Sequence, residues 1–372
     1  MSDSSRPLRV LQVTPRFFPY VGGIETHVYE VSRRLVRAGI DTTILTTDPS
    51  RRLPARDEME GISIQRVPAW PAHRDYYFAP QIAGVIRDGG WDVVHCQGCH
   101  TFVAPMALRA AFRAGIPSVL TFHTGGHSSR VRTALRGLQW RALRSMFRSA
   151  DLLIGVSRFE AEAFQARLGL PADRFVVIPN GGRLPTLDAP DQEDAGASVA
   201  AGGARLILSV GRLERYKGHQ RLIAAMPKVL DHCPAAHLLV LGEGPYEGAL
   251  RRQAERLRIA SCVTIRAIPP TERGEMRRLL ARADLVALLS DYEAHPIAVM
   301  EALALRRPLL VAATSGLNEF VERGLAVGVP LQSRPEEIAA AVLDQLQDPT
   351  IPAAVALPTW EDCAAQLAAI YT

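Results

Sequence analysis

Short, almost unbroken apolar runs recur along the chain, separated by segments with helical periodicity. LRVLQV (8–13), TTILTT (42–47), DVVH (92–95), SVLTFH (118–123), DLLIGVS (151–157) and FVVIP (175–179) are runs of this kind. They fit parallel strands buried on both faces. Residues 24–38, 103–114, 129–148 and 158–168 predict helices between them. The pattern repeats with RLILSVG (205–211), HLLVLG (237–242), VTIRA (263–267), LVALL (285–289) and PLLVAA (308–313). Residues 183–204 are rich in Gly, Ala, Pro and acids, lack periodicity, and predict a linker. The chain therefore predicts two Rossmann-like, doubly wound α/β domains, 1–182 and 205–357, facing one another across a cleft. In such sheets ligands bind beyond the carboxyl ends of the strands, so functional residues are sought just after them.

The 372 residues, 48% of them hydrophobic, are enough for two full cores in a globular protein. MSDSSRPLRV has no apolar h-region, and no apolar run approaches the roughly 20 residues that span a bilayer. Five cysteines in such a chain predict reduced thiols and a cytoplasmic setting. That setting weighs against haem at HCQGCH (95–100), although CQGCH has the spacing of a c-type attachment site. Residues 1–180 hold 23 Arg, no Lys and 15 acidic residues, a net of +8, whereas the remainder nets −3. Different partners are expected for the two halves. Only Lys217 and Lys228 are lysines among 43 basic residues, which marks a retained lysine as a candidate for a chemical role.

Three segments after strands carry chemistry. Gly22-Gly23 opens the helix near Ile24 and suits either a tight turn or an anion at a helix N-terminus. GRLERYKG (211–218) supplies Arg212 and Lys217, a planar fork and a mobile point charge that suit a diphosphate; the other reading is a solvated basic loop. GEGP (242–245) repeats the strand, glycine turn and helix arrangement. In YEAHPIAVMEALA (292–304), Pro296 is expected as the first residue of a helix, with Glu293 before it and Glu301 inside it. Two carboxylates flanking a helix N-terminus can accept from sugar and ribose hydroxyls, or form an ordinary surface pair.

Taken in order, FFPYVGGIETHVYEVSRRLVRAG, DVVH, LTFHT, GVSRFEAE, IPNGG, GRLERYKG, GEGP and the Glu293–x7–Glu301 element resemble the retaining glycosyltransferases of family 4, which have the GT-B fold. The resemblance covers nearly the whole chain. It implies metal-independent transfer of a sugar, with retention, from a nucleotide-sugar to the hydroxyl of a small-molecule, saccharide or lipid-linked acceptor. UDP is favoured as the carrier because it is common in the family. By resemblance, Arg212 and Lys217 hold the diphosphate, Glu301 binds the ribose, and Glu293 touches the donor sugar. His123 stands at the reaction centre, and Gly22 and Gly23 approach the phosphates from the opposite domain. Gly242, Ala294, His295, Pro296 and Ile297 complete the donor site, while His27, His95, Gln97 and His123 line the acceptor side. The loop leaving DVVH is then pocket wall, and neither metal nor haem is expected as a cofactor.

The sequence departs from the family where Ala294-His295-Pro296 follows Glu293, in place of a glycine and an aromatic, which bears on donor-sugar preference. WEDCAAQLAAIYT (360–372) is similar to the terminal helix that returns to the N-terminal domain in this fold. Segment 129–148 gathers Arg130, Arg141, Arg144 and Arg148 on one arc, suited to weak contact with an anionic membrane surface or a phosphorylated acceptor, or to a packed helix with a solvated face. A cytoplasmic protein, peripheral to the inner membrane face at most, is expected, and nucleic acid is not expected as a partner. A GT-B nucleotide-sugar epimerase and a non-catalytic nucleotide-sugar-binding protein are the alternative readings.

Overall fold

In the computed structural model, residues 6–20, 22–71, 77–123, 144–182, 205–269, 272–352 and 356–372 are described. The chain divides into two compact units. One comprises residues 1–124, 129–181 and 358–372; the other comprises 125–128 and 182–357.

The N-terminal unit is built on an eight-stranded sheet in the order β3-β4-β2-β1-β5-β6-β7-β8. These strands are β1 (Arg9–Val13), β2 (Asp41–Asp48), β3 (Arg56–Met59), β4 (Ile62–Pro68), β5 (Val93–Gln97), β6 (Ser118–Thr121), β7 (Leu152–Gly155) and β8 (Phe175–Val177). All neighbouring pairs are parallel except β3–β4. The expected strands are present, with their ends within two residues of the expected bounds. The apolar runs do not reveal β3 and β4. RDEM carries three charges and lies exposed, a composition that keeps a sheet edge from pairing with other chains. In β4, buried Ile62 and Ile64 flank exposed Ser63, the alternation of a half-buried strand.

Helices α1 (Gly23–Arg37), α2 (Gln81–Asp88), α3 (Val103–Ala114) and α4 (Arg158–Leu168) follow β1, β4, β5 and β7. α4 starts where Ser157 Oγ accepts from the Glu160 N–H and stops at Gly169 in the left-handed region. Of segment 129–148, residues 129–143 lie outside the described residues and 144–147 are helical. Arg144 donates to the Leu168 carbonyl.

The C-terminal unit has a six-stranded parallel sheet in the order β11-β10-β9-β12-β13-β14. Its strands are β9 (Arg205–Val210), β10 (Ala236–Leu241), β11 (Val263–Arg266), β12 (Leu285–Leu288), β13 (Leu309–Ala312) and β14 (Val327–Val329). Helices α5 (His219–His232), α6 (Glu247–Arg256), α7 (Arg273–Arg282), α8 (Ile297–Ala304), α9 (Leu317–Glu322) and α10 (Pro335–Gln347) cover its two faces with separate apolar cores. The strand order reverses between β9 and β12, the point where doubly wound sheets bind ligands. Pro296 is the residue before α8 rather than its first turn. Its ψ of 124° leaves it extended, so helical geometry begins at Ile297.

α11 (Trp360–Tyr371) follows the C-terminal unit in sequence and packs in the N-terminal unit. Thr359 and Asp362 form a capping box at its start. Arg34 of α1 reaches Glu361 at 2.8 Å, and the His27 ring meets Trp360 edge-on at 5.7 Å.

Candidate active site

In the C-terminal unit the loop after β9 carries Arg212 and Lys217. Lys217 ends a short 3-10 turn, Arg215–Lys217, and Gly218 follows at φ +77° with the Leu289 carbonyl in the space a Cβ would occupy. Only glycine accepts both the backbone conformation and that approach. The loop is thereby drawn against the end of β12, and Lys217 Nζ reaches Glu293 Oε1 at 2.6 Å. Ser290 Oγ donates to the same oxygen at 2.8 Å. The Glu293 N–H donates to Ser315 Oγ at 2.9 Å, and its carbonyl accepts from Gly316 N at 2.9 Å. Gly316 is required by proximity, since a Cβ there would overlap the Ala294 carbonyl.

With side-chain exposures of 17% and 8%, the Lys217–Glu293 pair is largely shielded from solvent. Burial alone would lower the Lys217 pKa, but the Glu293 carboxylate, then Tyr216, raise it above its ordinary value. Arg212 is exposed, with Nη2 on Tyr216 Oη at 3.0 Å. His219, the first residue of α5, carries no motif signal and is buried beneath this loop. Its Nδ1 lies 2.9 Å from Ser209 Oγ and its Nε2 3.3 Å from the Arg212 carbonyl. Burial lowers it to about 4, so a neutral ring holds the Arg212 backbone.

Around this pair, Gly242 opens the turn after β10 with its N–H on the Arg266 carbonyl. Ala294 is buried, and the His295 ring lies 5.4 Å from Phe320. Burial, then the charge of Arg323, lowers His295 to about 4. Pro296 and Ile297 are half-buried, and Glu301 is buried in α8.

The N-terminal unit gathers His27, His95, Gln97 and His123. Along β5, Val94 and Cys96 join the apolar core, while His95 and Gln97 face the opposite side with Gln12 of β1 and Thr121 of β6. HCQGCH is thus split by strand alternation. Cys96 packs against α3, its thiol pKa pushed up by burial, and Cys99 joins the same core. Among the described residues no cluster of three His, Cys, Asp or Glu is placed to hold a metal ion. His95 and Gln97 were expected on the acceptor wall. Both are fully buried, so they stand behind His123 rather than on a surface. Gln97 Oε1 lies 2.8 Å from His123 Nε2, and His95 lies 2.8 Å from Thr121 Oγ1. His123 adopts φ +47°, a conformation rare outside glycine, and its carbonyl is 3.0 Å from His100 Nε2. Burial, then neighbouring imidazoles, hold His123 well below the usual imidazole pKa.

His27 on α1 meets the His123 ring edge-on at 4.5 Å, and its Nδ1 donates to Asn180 Oδ1 at 2.8 Å. Its Nε2 is buried without a hydrogen-bond partner among the described residues. Asn180, in IPNGG, is a contributor that its own residue type could not reveal. Gly22 is the extended residue before α1. The Glu25 carboxylate of the first turn lies over Gly22, and the space around Gly23 is open.

Residues 21–182 match the family model Glycosyltransferase Family 4, and residues 191–357 match Glycosyl transferases group 1. A glycogen synthase of Mycobacterium tuberculosis is 32% identical, the match covering 92% of this chain and 87% of the relative. Among solved structures, sucrose-phosphate synthase from Thermosynechococcus elongatus superposes with a TM-score of 0.79 at 20% identity, covering 98% of both chains. Anabaena HepE in complex with UDP-glucose gives 0.68 at 19% identity, covering 98% of this chain and 95% of that one.

Proposed function

The chain belongs to the family 4 glycosyltransferases, and from that premise we propose that it transfers a sugar, with retention and without a metal, from a UDP-sugar to a hydroxyl acceptor. The observation that carries this reading is the convergence of Lys217 and Glu293 at the switch point of the β9–β14 sheet. Departure of a nucleoside diphosphate concentrates negative charge on its terminal phosphate. A fixed ammonium and guanidinium stabilise that charge most where water is excluded. Glu293 keeps Lys217 charged and aimed before a donor arrives. When the diphosphate takes Lys217, the Glu293 carboxylate becomes an acceptor for sugar hydroxyls. Glu301 accepts from the ribose, and Arg212 reaches the diphosphate from its exposed position.

The leaving phosphate itself takes the acceptor proton as the new glycosidic bond forms on the same face of the sugar, which gives retention. His123, neutral and held by Gln97, contributes a hydrogen bond to a substrate hydroxyl rather than a proton. UDP-glucose is the first donor to test, because a solved structure of the same fold binds it.

Calorimetric titration with a panel of nucleotide-sugars, followed by turnover of the best binder, tests the reading. A UDP-sugar is expected to bind and turn over, and chelator to leave the rate unchanged. Glu301→Ala is expected to lower kcat/KM about 10²-fold with the fold intact, the scale of removing one preorganised polar contact. Wild-type turnover in Glu301→Ala, or activity abolished by chelator and restored by metal, would overturn it.

A further inference from the structure

The centre of a parallel sheet is ordinarily filled with Val, Ile and Leu, yet one face of β1, β5 and β6 carries Gln12, His95, Gln97 and Thr121, with His123 two residues beyond the end of β6. These polar groups form one continuous hydrogen-bonded line. His123 Nε2 lies 2.8 Å from Gln97 Oε1, and Gln97 Nε2 donates to Gln12 Oε1 at 2.7 Å. Gln12 Nε2 donates to Tyr371 Oη at 2.9 Å, and Tyr371 Oη is 2.5 Å from His95 Nδ1. His95 Nε2 closes the line on Thr121 Oγ1 at 2.8 Å. Every member of the line is buried, so water does not compete for these groups.

Such a line transmits direction. An amide has one donating and one accepting end, so turning one amide forces its neighbour to turn. The Tyr371 hydroxyl accepts from Gln12 and therefore gives its own proton to His95 Nδ1. Gln12 in turn shows its oxygen to Gln97, which leaves Gln97 only its oxygen to show to His123. A neutral imidazole facing that oxygen must carry its proton on Nε2, and Nδ1 is then a lone-pair acceptor.

We propose that Tyr371 of α11 is a positioning residue that acts through Gln12 and Gln97 to fix the tautomer of His123, so that Nδ1 accepts a hydrogen bond from a substrate hydroxyl. This rests on the reading of His123 as a substrate-contacting group. A purely structural network would stabilise the fold without regard to which nitrogen of His123 carries the proton.

The test uses the full chain labelled with 15N-histidine. Two-bond 1H–15N correlations separate protonated from unprotonated ring nitrogens, and loss of one set in His123→Asn assigns the residue. Wild type is expected to show His123 protonated on Nε2. In Tyr371→Phe, Gln12 and Gln97 are released, and His123 is expected to become a mixture of tautomers or to invert. Gln97→Glu in the Tyr371→Phe background presents only oxygens to His123 and is expected to restore the proton to Nε2. If Tyr371→Phe does not fold, Gln12→Met breaks the same line one step nearer to His123.

With UDP-glucose as donor probe, Tyr371→Phe is expected to lower kcat about tenfold with KM nearly unchanged, roughly the worth of one hydrogen bond in a barrier. A wild-type His123 protonated on Nδ1, or a tautomer indifferent to both Tyr371→Phe and Gln12→Met, overturns the relay. A lost tautomer with kcat unchanged overturns its role in the reaction. The tautomer is read without substrate, so failure of UDP-glucose to react would count against the proposed donor and not against the relay.

Discussion

Replacing Lys217 by Met removes the cation and keeps most of the side-chain volume, leaving the Glu293 carboxylate buried with Ser290 and the Ser315–Gly316 turn around it. Two unit charges 2.6 Å apart attract by about 6 kcal/mol at an effective dielectric near 20. Desolvation of both groups offsets much of this. Breaking a pair this shielded costs about 3 kcal/mol, because the penalty falls on the charge left behind. Glu293→Gln in the Lys217→Met background removes that stranded charge and is expected to recover most of the loss.

The assay is urea unfolding followed by two signals. Trp70, Trp91 and Trp360 all belong to the N-terminal unit, and no tryptophan occurs in residues 182–357. Tryptophan fluorescence therefore follows one unit, while far-UV circular dichroism follows both. At a slope of about 2 kcal/mol/M, the transition seen only by dichroism is expected to move down by ~1.5 M. The folded-state pKa of Lys217 lies above its ordinary 10.5. The pair's contribution is thus full below that value and is lost as pH rises through the higher folded one, so wild type and Lys217→Met converge only in strong alkali. A single variant as stable as wild type at pH 7, or a double variant no more stable than the single, would refute the reasoning.

Two further outcomes follow from other parts of the molecule. Gly218→Ala forces a side chain into the left-handed region and onto the Leu289 carbonyl. It is expected to cost about 3 kcal/mol in the same dichroism-only transition and to lower turnover by displacing Lys217; unchanged stability would contradict the close packing of the two loops. In the N-terminal unit, burial lowers His27 to about 4 from 6.5. Between those values the unfolded chain holds the extra proton, so stability falls as pH drops, by roughly 3 kcal/mol for this residue once pH is below 4. Fluorescence-monitored melts from pH 7 to 4.5 should show the decline, with a shallower slope in His27→Gln; a pH-independent midpoint would contradict burial of a neutral ring.

The layered architecture was legible because most strands buried on both faces are predominantly apolar, and runs such as LILSV and LLVL recur between helical segments. The β3–β4 hairpin and α2 were not, since an edge strand such as RDEM buries almost nothing and carries no apolar signal. In the site, Arg212, Lys217, Glu293 and Glu301 stood out through motif order and, for Lys217, through the scarcity of lysine. That Lys217 meets Glu293 was not legible, because it depends on backbone approach at Gly218 rather than on residue type. The partners behind His123 were still further from view. Glutamines carry no motif, and Gln12 meets Gln97 across 85 positions and Tyr371 across 359.

That last separation bears on how the protein is made. A chain emerging from the ribosome can lay down β1 to β8 early, but α11 is synthesised after the entire C-terminal unit. Until then the polar face of β1, β5 and β6 lacks the hydroxyl that completes it, and α1 lacks the helix it packs against. The N-terminal unit, whose sheet is translated before the C-terminal unit, is thus finished only after it. A chain cut off before Trp360 would hold all fourteen strands described here and an incomplete His123 environment.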